Sequence, residues 1–307
     1  MPSLSAVIEV ELPSGDSIAV VRRRFGGGDG PRVALVAGIR GDAPEGIRVA
    51  HEVATVLTEH ESALLGTVDI YPCANPLAAH RSVRNWPFFD TDLNRLFPGK
   101  EQGHPPQQVA WALCQDIAGA DQVIEVRGAR PAFAESPQAH VQAWDEAAAK
   151  LAQEANVAVV WRRKSGPAGA STFAHQFPGT IVLEGGRGNR LTTGIGKDLR
   201  DGALNILVSL GVLPDSCAPF HWATLQRPLV VTDDAVFRVR ADRGGLFLPV
   251  GELWSEVEAG EHLGDVVDPV SGECRETVTS PVAGRLFAIR ELPVVFPGTM
   301  VARVVQP

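Results

Sequence analysis

Residues 33–57 read VALVAGIRGDAPEGIRVAHEVATVL, and the change of period inside this stretch decides the fold. Val33–Ala37 is an unbroken apolar run, the pattern of a strand buried on both faces in a parallel sheet. The loop GIRGDAPEG (38–46) follows. Apolar residues then recur at Ile47, Ala50, Val53, Ala54 and Leu57, the spacing of one helix face. Upstream, Ile8, Val10 and Leu12 share a face, PSGD (13–16) turns the chain, and Ser17–Arg23 returns as the second arm of a hairpin. Arg22, Arg23 and Arg24 read as a charged strand end before the turn-rich GGGDG, not as a phosphate site.

Downstream the alternation continues. Strands are predicted at Thr67–Tyr71, Gln122–Val126, Val157–Trp161 and Thr180–Glu184 (TIVLE), and helices over Pro106–Ile117, Val141–Ala155 and Asp198–Leu210. Asp198 is read as the cap of the last helix and Gly211 as its stop. This alternation implies an α/β sheet with parallel strands and helices on both faces, whose sites gather at the carboxyl ends of its strands. The loops after Ala37, Tyr71, Val126 and Glu184 are therefore the places to search. Beyond Pro228 the texture changes to short strands between Gly and Pro turns, with Leu229–Thr232, Val236–Val239, Gly245–Pro249, Val278–Ser280 and Arg285–Ile289 as strands. The expected organisation is an α/β domain over 1–228 and a small all-β C-terminal domain over 229–307.

Hydrophobic residues make up 45% of the 307 and charged residues 21%, enough apolar material for a packed core and too much for a disordered chain. A net charge of −8 argues against nucleic acid as a partner. No apolar run reaches the roughly 18 residues that span a bilayer, and MPSLSAVIEVELPSGD lacks the pattern of a signal peptide. A cytoplasmic protein is expected, with Cys73, Cys114, Cys217 and Cys274 as reduced packing residues. A homo-oligomer is compatible with this.

Among motifs, GGRGNR (185–190) and GIGK (194–197) lack the phosphate-loop pattern and read as turns. No GxSxG occurs. The histidines at 51, 60, 80, 104, 140, 175, 221 and 262 form neither HxxxH nor HxH, and each reads as a surface or satisfied core residue. Trp86 and Phe88 are read as core or loop packing.

Four segments carry more: VAGIRGDAPEGI (36–47), CANPLAAHRSVRNWPFFDTDLNRLFPG (73–99), ADQVIEVRG (120–128) and TIVLEGG (180–186). Together, and in order, they resemble the succinylglutamate desuccinylase/aspartoacylase family of the zinc carboxypeptidase-like superfamily. DLNRLFPG is the most specific match. The resemblance implies a carboxypeptidase-like mixed sheet flanked by helices, a C-terminal β domain and a deacylase of small N-acyl amino acids. It implies that Glu184 is the general base and that Arg84, Asn94 and Arg95 hold the substrate carboxylate.

The zinc ligands of that family, a histidine and a glutamate in the first loop and a histidine after the third strand, correspond here to Arg40, Ala43 and Arg127. Guanidinium has no lone pair to offer a metal, and alanine has no donor. No zinc cofactor is expected at this seat. Glu45 reaches the ligand position only with a gap, and His80 or His104 are the remaining sources of a relocated ligand. Two guanidiniums keep the seat cationic, suited to clamping a carboxylate or phosphate bidentately, or else to an internal ion pair with Glu184 or Asp42. Asp42 is read as an orienting partner of Arg40 beside the substrate.

Three functional readings stay open. The first is a metal-free enzyme of hydrolytic or acyl-transfer type, with Glu184, Arg40 and Arg127 as its catalytic set. The second is a pseudoenzyme that binds a small anion or a partner protein. The third is a zinc amidohydrolase with relocated ligands.

Overall fold

The structure, a computed structural model, describes residues 3–166, 169–218 and 227–307. His221 lies outside the described residues. Strands β1 (Ser3–Glu11), β2 (Ser17–Gly26) and β3 (Arg32–Ala37) lead into helix α1 (Pro44–Glu59). There follow β4 (Thr67–Tyr71), α2 (Pro76–Arg81), α3 (Pro105–Ile117), β5 (Gln122–Gly128), β6 (Phe133–Gln142), α4 (Glu146–Gln153), β7 (Val159–Arg163), β8 (Ile181–Arg187) and α5 (Thr193–Ser209). The remainder is strand: β9 (Leu229–Thr232), β10 (Val236–Arg240), β11 (Gly245–Pro249), β12 (Glu256–Val257), β13 (His262–Val267), β14 (Cys274–Thr279), β15 (Gly284–Arg290), β16 (Val294–Val295) and β17 (Met300–Val305).

The architecture is mixed α/β. A 13-stranded sheet runs β1-β2-β4-β3-β5-β8-β6-β15-β17-β10, with β7, β9 and β12 attached off this path. Strands β4, β3, β5 and β8 are mutually parallel, and β6 enters antiparallel to β8. Side chains of β3 alternate between two cores, as strand geometry requires. Val33, Leu35 and Ala37 face α1 and α5, whereas Ala34 and Val36 face α3. Helices thus cover both faces, as the apolar runs predict. Gly46 lets α1 approach the end of β5, because a Cβ there would lie 2.3 Å from the Val126 carbonyl oxygen.

The predicted hairpin forms β1 and β2, but β2 also pairs with β4 and joins the main sheet. Its arginines stand near the strand end, as expected, and two of them are paired. Arg24 and Arg32 bond the fully buried Asp69 at 2.7 and 2.8 Å, and Arg22 bonds Asp116 at 2.8 Å. The tail is all-β, yet its strands divide between two sheets. A 4-stranded sheet, β14-β13-β11-β16, stands apart, while β9 pairs with β7 and β15 with β6. The main sheet therefore runs through the junction at Pro228. Strands β13 and β17 have no counterpart among the predicted elements.

Three local expectations are corrected. Residues 133–142 form a strand, and the helix expected over 141–155 starts only at Glu146, where the Asp145 side chain accepts from the Ala148 amide at 2.9 Å. Asp198 lies inside α5, not at its cap, and GIGK forms the helix's first turns. Residues 185–187 of GGRGNR end strand β8. The cap correction has a measurable consequence: Asp145→Ala is expected to cost about 1–2 kcal/mol in urea denaturation, and an unchanged midpoint would place the helix start elsewhere. Cys73, Cys114 and Cys217 are free and at least half-buried, but Cys274 is exposed and does not pack. No helix among the described residues is long and apolar enough to cross a membrane.

Candidate anion-binding site

Parallel register sets the centre of the site. Arg127 on β5 stands beside Glu184 on β8, and Glu184 stands beside Gln138 on β6. Their side chains therefore rise from the α3 face of the sheet in one row. Arg127 donates to Glu184 through Nε and lies 2.9 Å from it through Nη2, and its Nη1 is 3.4 Å from Glu125. The internal ion pair foreseen for this seat thus forms, with Arg127 as the cation.

Arg40 behaves differently. It hangs from the loop after β3, only 7% exposed, and its Nε has no hydrogen-bond partner. No carboxylate among the described residues lies within 4.0 Å of it. Burial, and then the neighbouring Arg127, press its pKa down, with Glu184 and Glu125 opposing from a distance. A buried guanidinium beside another guanidinium and lacking a salt bridge is costly unless an anion arrives.

Both arginines line a cavity of about 650 Å³, and so do Arg84, Asn94, Arg95 and Glu184. The sequence therefore names a group that the fold does bring together, but the individual roles differ. Arg84 is bound to Asp92 at 2.7 and 3.0 Å, so it braces the DLNR loop. The Asn94 side-chain oxygen accepts from the Phe173 amide at 2.8 Å and ties two loops together. Arg95 donates to the Asn94 carbonyl and has no carboxylate partner among the described residues. Asp42 is a correction: it is 4% exposed, it is not on the cavity wall, its Oδ1 has no hydrogen-bond partner, and it makes no hydrogen bond or ion pair with Arg40. Burial raises its pKa, and Arg40 and Arg84 act against this only from a distance. Trp86 is core at 1% exposure, whereas Phe88 is 80% exposed and packs nowhere.

Several wall residues were not foreseen. His140, expected to be a bland core or surface residue, is buried with Nδ1 3.6 Å from Glu184. Burial drives its pKa well down, so the ring is neutral. The network assigns its tautomer. Arg163 donates toward Nδ1 at 3.5 Å, so Nε2 carries the proton and donates to Gln138 at 2.9 Å, while Gln138 in turn donates to Glu135. Ser165, His175, Thr172 and Gln142 form a hydrogen-bonded cluster on another part of the wall. Further cations complete it: Arg130, Arg163, Lys164, Arg238, Arg240 and Arg303.

The electrostatics follow from this crowd. Burial alone would raise the Glu184 carboxyl, but the charges of Arg127 and then Arg40 outweigh it and hold the group well below the carboxylate range. Glu135 is fully buried, and burial together with the Glu184 charge pushes it up to about 7 against the pull of Arg130 and Arg127.

A zinc ion does not fit the seat that the family resemblance assigns to it. Arg40 and Arg127 are donors only, and Ala43 is the N-cap of α1 with no ligand atom. Glu45, the nearest candidate replacement, accepts from the Thr192 amide at 2.6 Å and lies 3.4 Å from Arg48, linking α1 to α5 away from the cavity wall. Neither His80 nor His104 lines the cavity. Among the described residues no group of three or more His, Cys, Asp or Glu is placed to hold a metal.

Comparison with known proteins adds a likeness in sequence over one segment and in fold over the whole chain. Residues 29–123 match the model of the succinylglutamate desuccinylase/aspartoacylase catalytic domain. No curated protein sequence matches the chain. Among solved structures, a succinylglutamate desuccinylase/aspartoacylase from Rhodobacter sphaeroides is similar over 97% of this chain and 93% of its own, with 23% identity and a TM-score of 0.83. The product-bound ectoine utilization protein EutE from Ruegeria pomeroyi is similar over 100% and 95%, with 21% identity and a TM-score of 0.83. An aspartoacylase family protein from Mesorhizobium loti is similar over 100% and 96%, with 20% identity and a TM-score of 0.81. Residues 29–123 thus match the succinylglutamate desuccinylase/aspartoacylase catalytic-domain model, and the chain shares the fold of these solved structures across its length.

Proposed function

We propose that the cavity binds a small carboxylate-bearing ligand without zinc, with Arg40 as the principal clamp. One observation carries this reading: Arg40 is buried at the cavity wall with no counter-ion among the described residues and with an unsatisfied Nε. A ligand carboxylate there gains charge-assisted hydrogen bonds, and it removes the cost of an unpaired buried charge.

Binding is better supported than hydrolysis. Zinc chemistry would supply a hydroxide near neutral pH, and the seat has no ligands for the metal. Glu184 is a poor substitute generator. Arg127 occupies its lone pairs at 2.9 Å and lowers its basicity, whereas an effective general base has a pKa near the working pH. A carbonyl near Arg40 would be polarised as in an oxyanion hole, which suits an already activated acyl group better than an amide.

Calorimetry with succinate tests the reading. Wild type is expected to bind it equally well with and without chelator, and Arg40→Gln to weaken binding about 10- to 100-fold. Loss of binding on chelation, together with stoichiometric zinc in the purified protein, would replace this reading with a relocated metal site.

A further inference from the structure

The wall of the cavity carries more positive charge than a carboxylate ligand can answer. Some of its cations are matched internally: Arg84 by Asp92, Arg127 by Glu184 and Glu125, and Lys164 by Asp234 at 3.8 Å, whereas Arg130 has only Glu135 at 3.6 Å, a group whose raised pKa makes it an incomplete counter-charge. Arg40, Arg95, Arg163, Arg238 and Arg240 have no carboxylate within 4.0 Å among the described residues.

The outer members of this set are placed by strand pairing. In the antiparallel β10–β17 pair, Arg238 stands directly opposite Arg303. Arg240 lies two residues further along β10, on the same face. Like charges directly opposite one another weaken a sheet. Arg303 is only 2% exposed, its Nε and Nη1 lack hydrogen-bond partners, and its nearest carboxylate, Glu135, is 3.9 Å away and shared with Arg130. Arg163 reaches the same cavity from β7, stacked over Trp161 at 4.6 Å. A second cationic pole, built on β7, β10 and β17, therefore shares the cavity with the Arg40 pole that ends β3.

We infer that the ligand carries two anionic ends, a carboxylate at Arg40 and a phosphate monoester at the pole formed by Arg163, Arg238, Arg240 and Arg303. This rests on the anion-binding reading above and extends it. A second carboxylate brings one charge and two acceptor oxygens. A phosphate monoester brings about −1.5 to −2 and three strong acceptors at neutral pH, which matches several convergent forks where a carboxylate would leave most of them unanswered.

Two small probes test the assignment by calorimetry at low salt, where exposed charges are least screened. Succinate carries carboxylates only, and 3-phosphoglycerate carries a carboxylate and a phosphate monoester. Wild type is expected to bind 3-phosphoglycerate at least about tenfold more tightly than succinate. The double variant Arg238→Gln/Arg240→Gln, at exposed positions that spare the core, is expected to abolish that advantage by weakening 3-phosphoglycerate at least about tenfold more than it weakens succinate. Arg40→Gln is expected to weaken both probes. Equal affinity of wild type for the two probes, or an advantage that survives the double variant, overturns the phosphate assignment while succinate binding through Arg40 stands. Failure of wild type to bind either probe overturns the anion-binding reading itself.

Discussion

Glu184→Gln is expected to destabilise the protein by about 3–5 kcal/mol in urea denaturation and, at the same time, to tighten succinate binding. Both effects come from one ion pair. Glu184 is 2% exposed and is the carboxylate on which Arg127 closes, and Arg40 draws on its charge from further off. Removing one partner of a buried pair leaves an uncompensated charge, and that charge sets the size of the loss. Glutamine keeps the shape and one acceptor oxygen, so the loss reports charge and not packing. The same vacancy frees the Arg127 fork for a ligand carboxylate. Succinate therefore raises the unfolding midpoint of the variant more than that of wild type, as linkage requires for a ligand that binds only the folded state. Arg127→Met combined with Glu184→Gln removes both charges and is expected to recover much of the lost stability while abolishing the tighter binding. Should Glu184→Gln instead leave succinate affinity unchanged but abolish turnover of an N-acyl amino acid by wild type, the carboxylate is a general base and the binding reading is too narrow.

The sequence made the site legible wherever a motif or a periodic segment carried it. Val33–Ala37 and the helix after it are a change of period, and they place Arg40 at a strand end without tertiary information. TIVLE and QVIEV are apolar runs whose ends deliver Glu184 and Arg127, although only the parallel register shows that the two side chains meet. The missing part is β6. Its sequence FAESPQAHVQ contains a proline, which argues against an interior strand, and buried polar residues that break an apolar run. The structure accommodates Pro137 where the register shifts between Glu135 and Gln138, and bulges admit proline. The buried polar residues Glu135, Gln138 and His140 have their partners around the cavity, which no local pattern shows. The start of α5 failed for a related reason. Gly196 reads as a turn residue, but it is required by packing, since a Cβ there would lie 2.1 Å from a carboxylate oxygen of Glu45. Arg238 and Arg240 sit on a strand with ordinary polar alternation, and Arg303 interrupts an otherwise apolar buried strand. Their convergence on the cavity depends on how β10 and β17 extend the main sheet, a long-range placement with no local signal.

Glu135→Gln is expected to remove one contribution to the pH dependence of stability between about pH 4.5 and 7, a contribution that falls as pH rises. The Glu135 carboxyl is fully buried, and its pKa is pushed from an ordinary 4.5 up to about 7. As pH rises through that window the unfolded chain gives up this proton while the folded chain keeps it. The unfolded state then binds fewer protons, and stability falls with pH. The contribution is fully present below about pH 4.5 and has been lost once pH passes about 7, a span worth about 3 kcal/mol at 1.36 kcal/mol per unit. Glutamine at 135 can still accept from Gln138, so the Glu135 contribution is read as the wild-type minus variant difference in urea denaturation at half-unit steps. Buried His140, whose pKa is lowered, adds a rise of stability with pH in both proteins and cancels from that difference. Glu184 titrates in the opposite sense: its depressed pKa confers stability above the carboxylate range that is lost only at lower pH, outside this window. The two groups are nonetheless linked, because the Glu184 charge is the second cause, after burial, of the rise at Glu135. Glu184→Gln should therefore shift the upper limit of the window downward and reduce the fall, while leaving its sign unchanged. A difference between the wild-type and Glu135→Gln profiles that is level from about pH 4.5 to 7 would show that Arg130 and Arg303 already hold Glu135 ionised. The outer pole would then have its anion from within the protein, and the charge excess that calls for a phosphate would shrink accordingly.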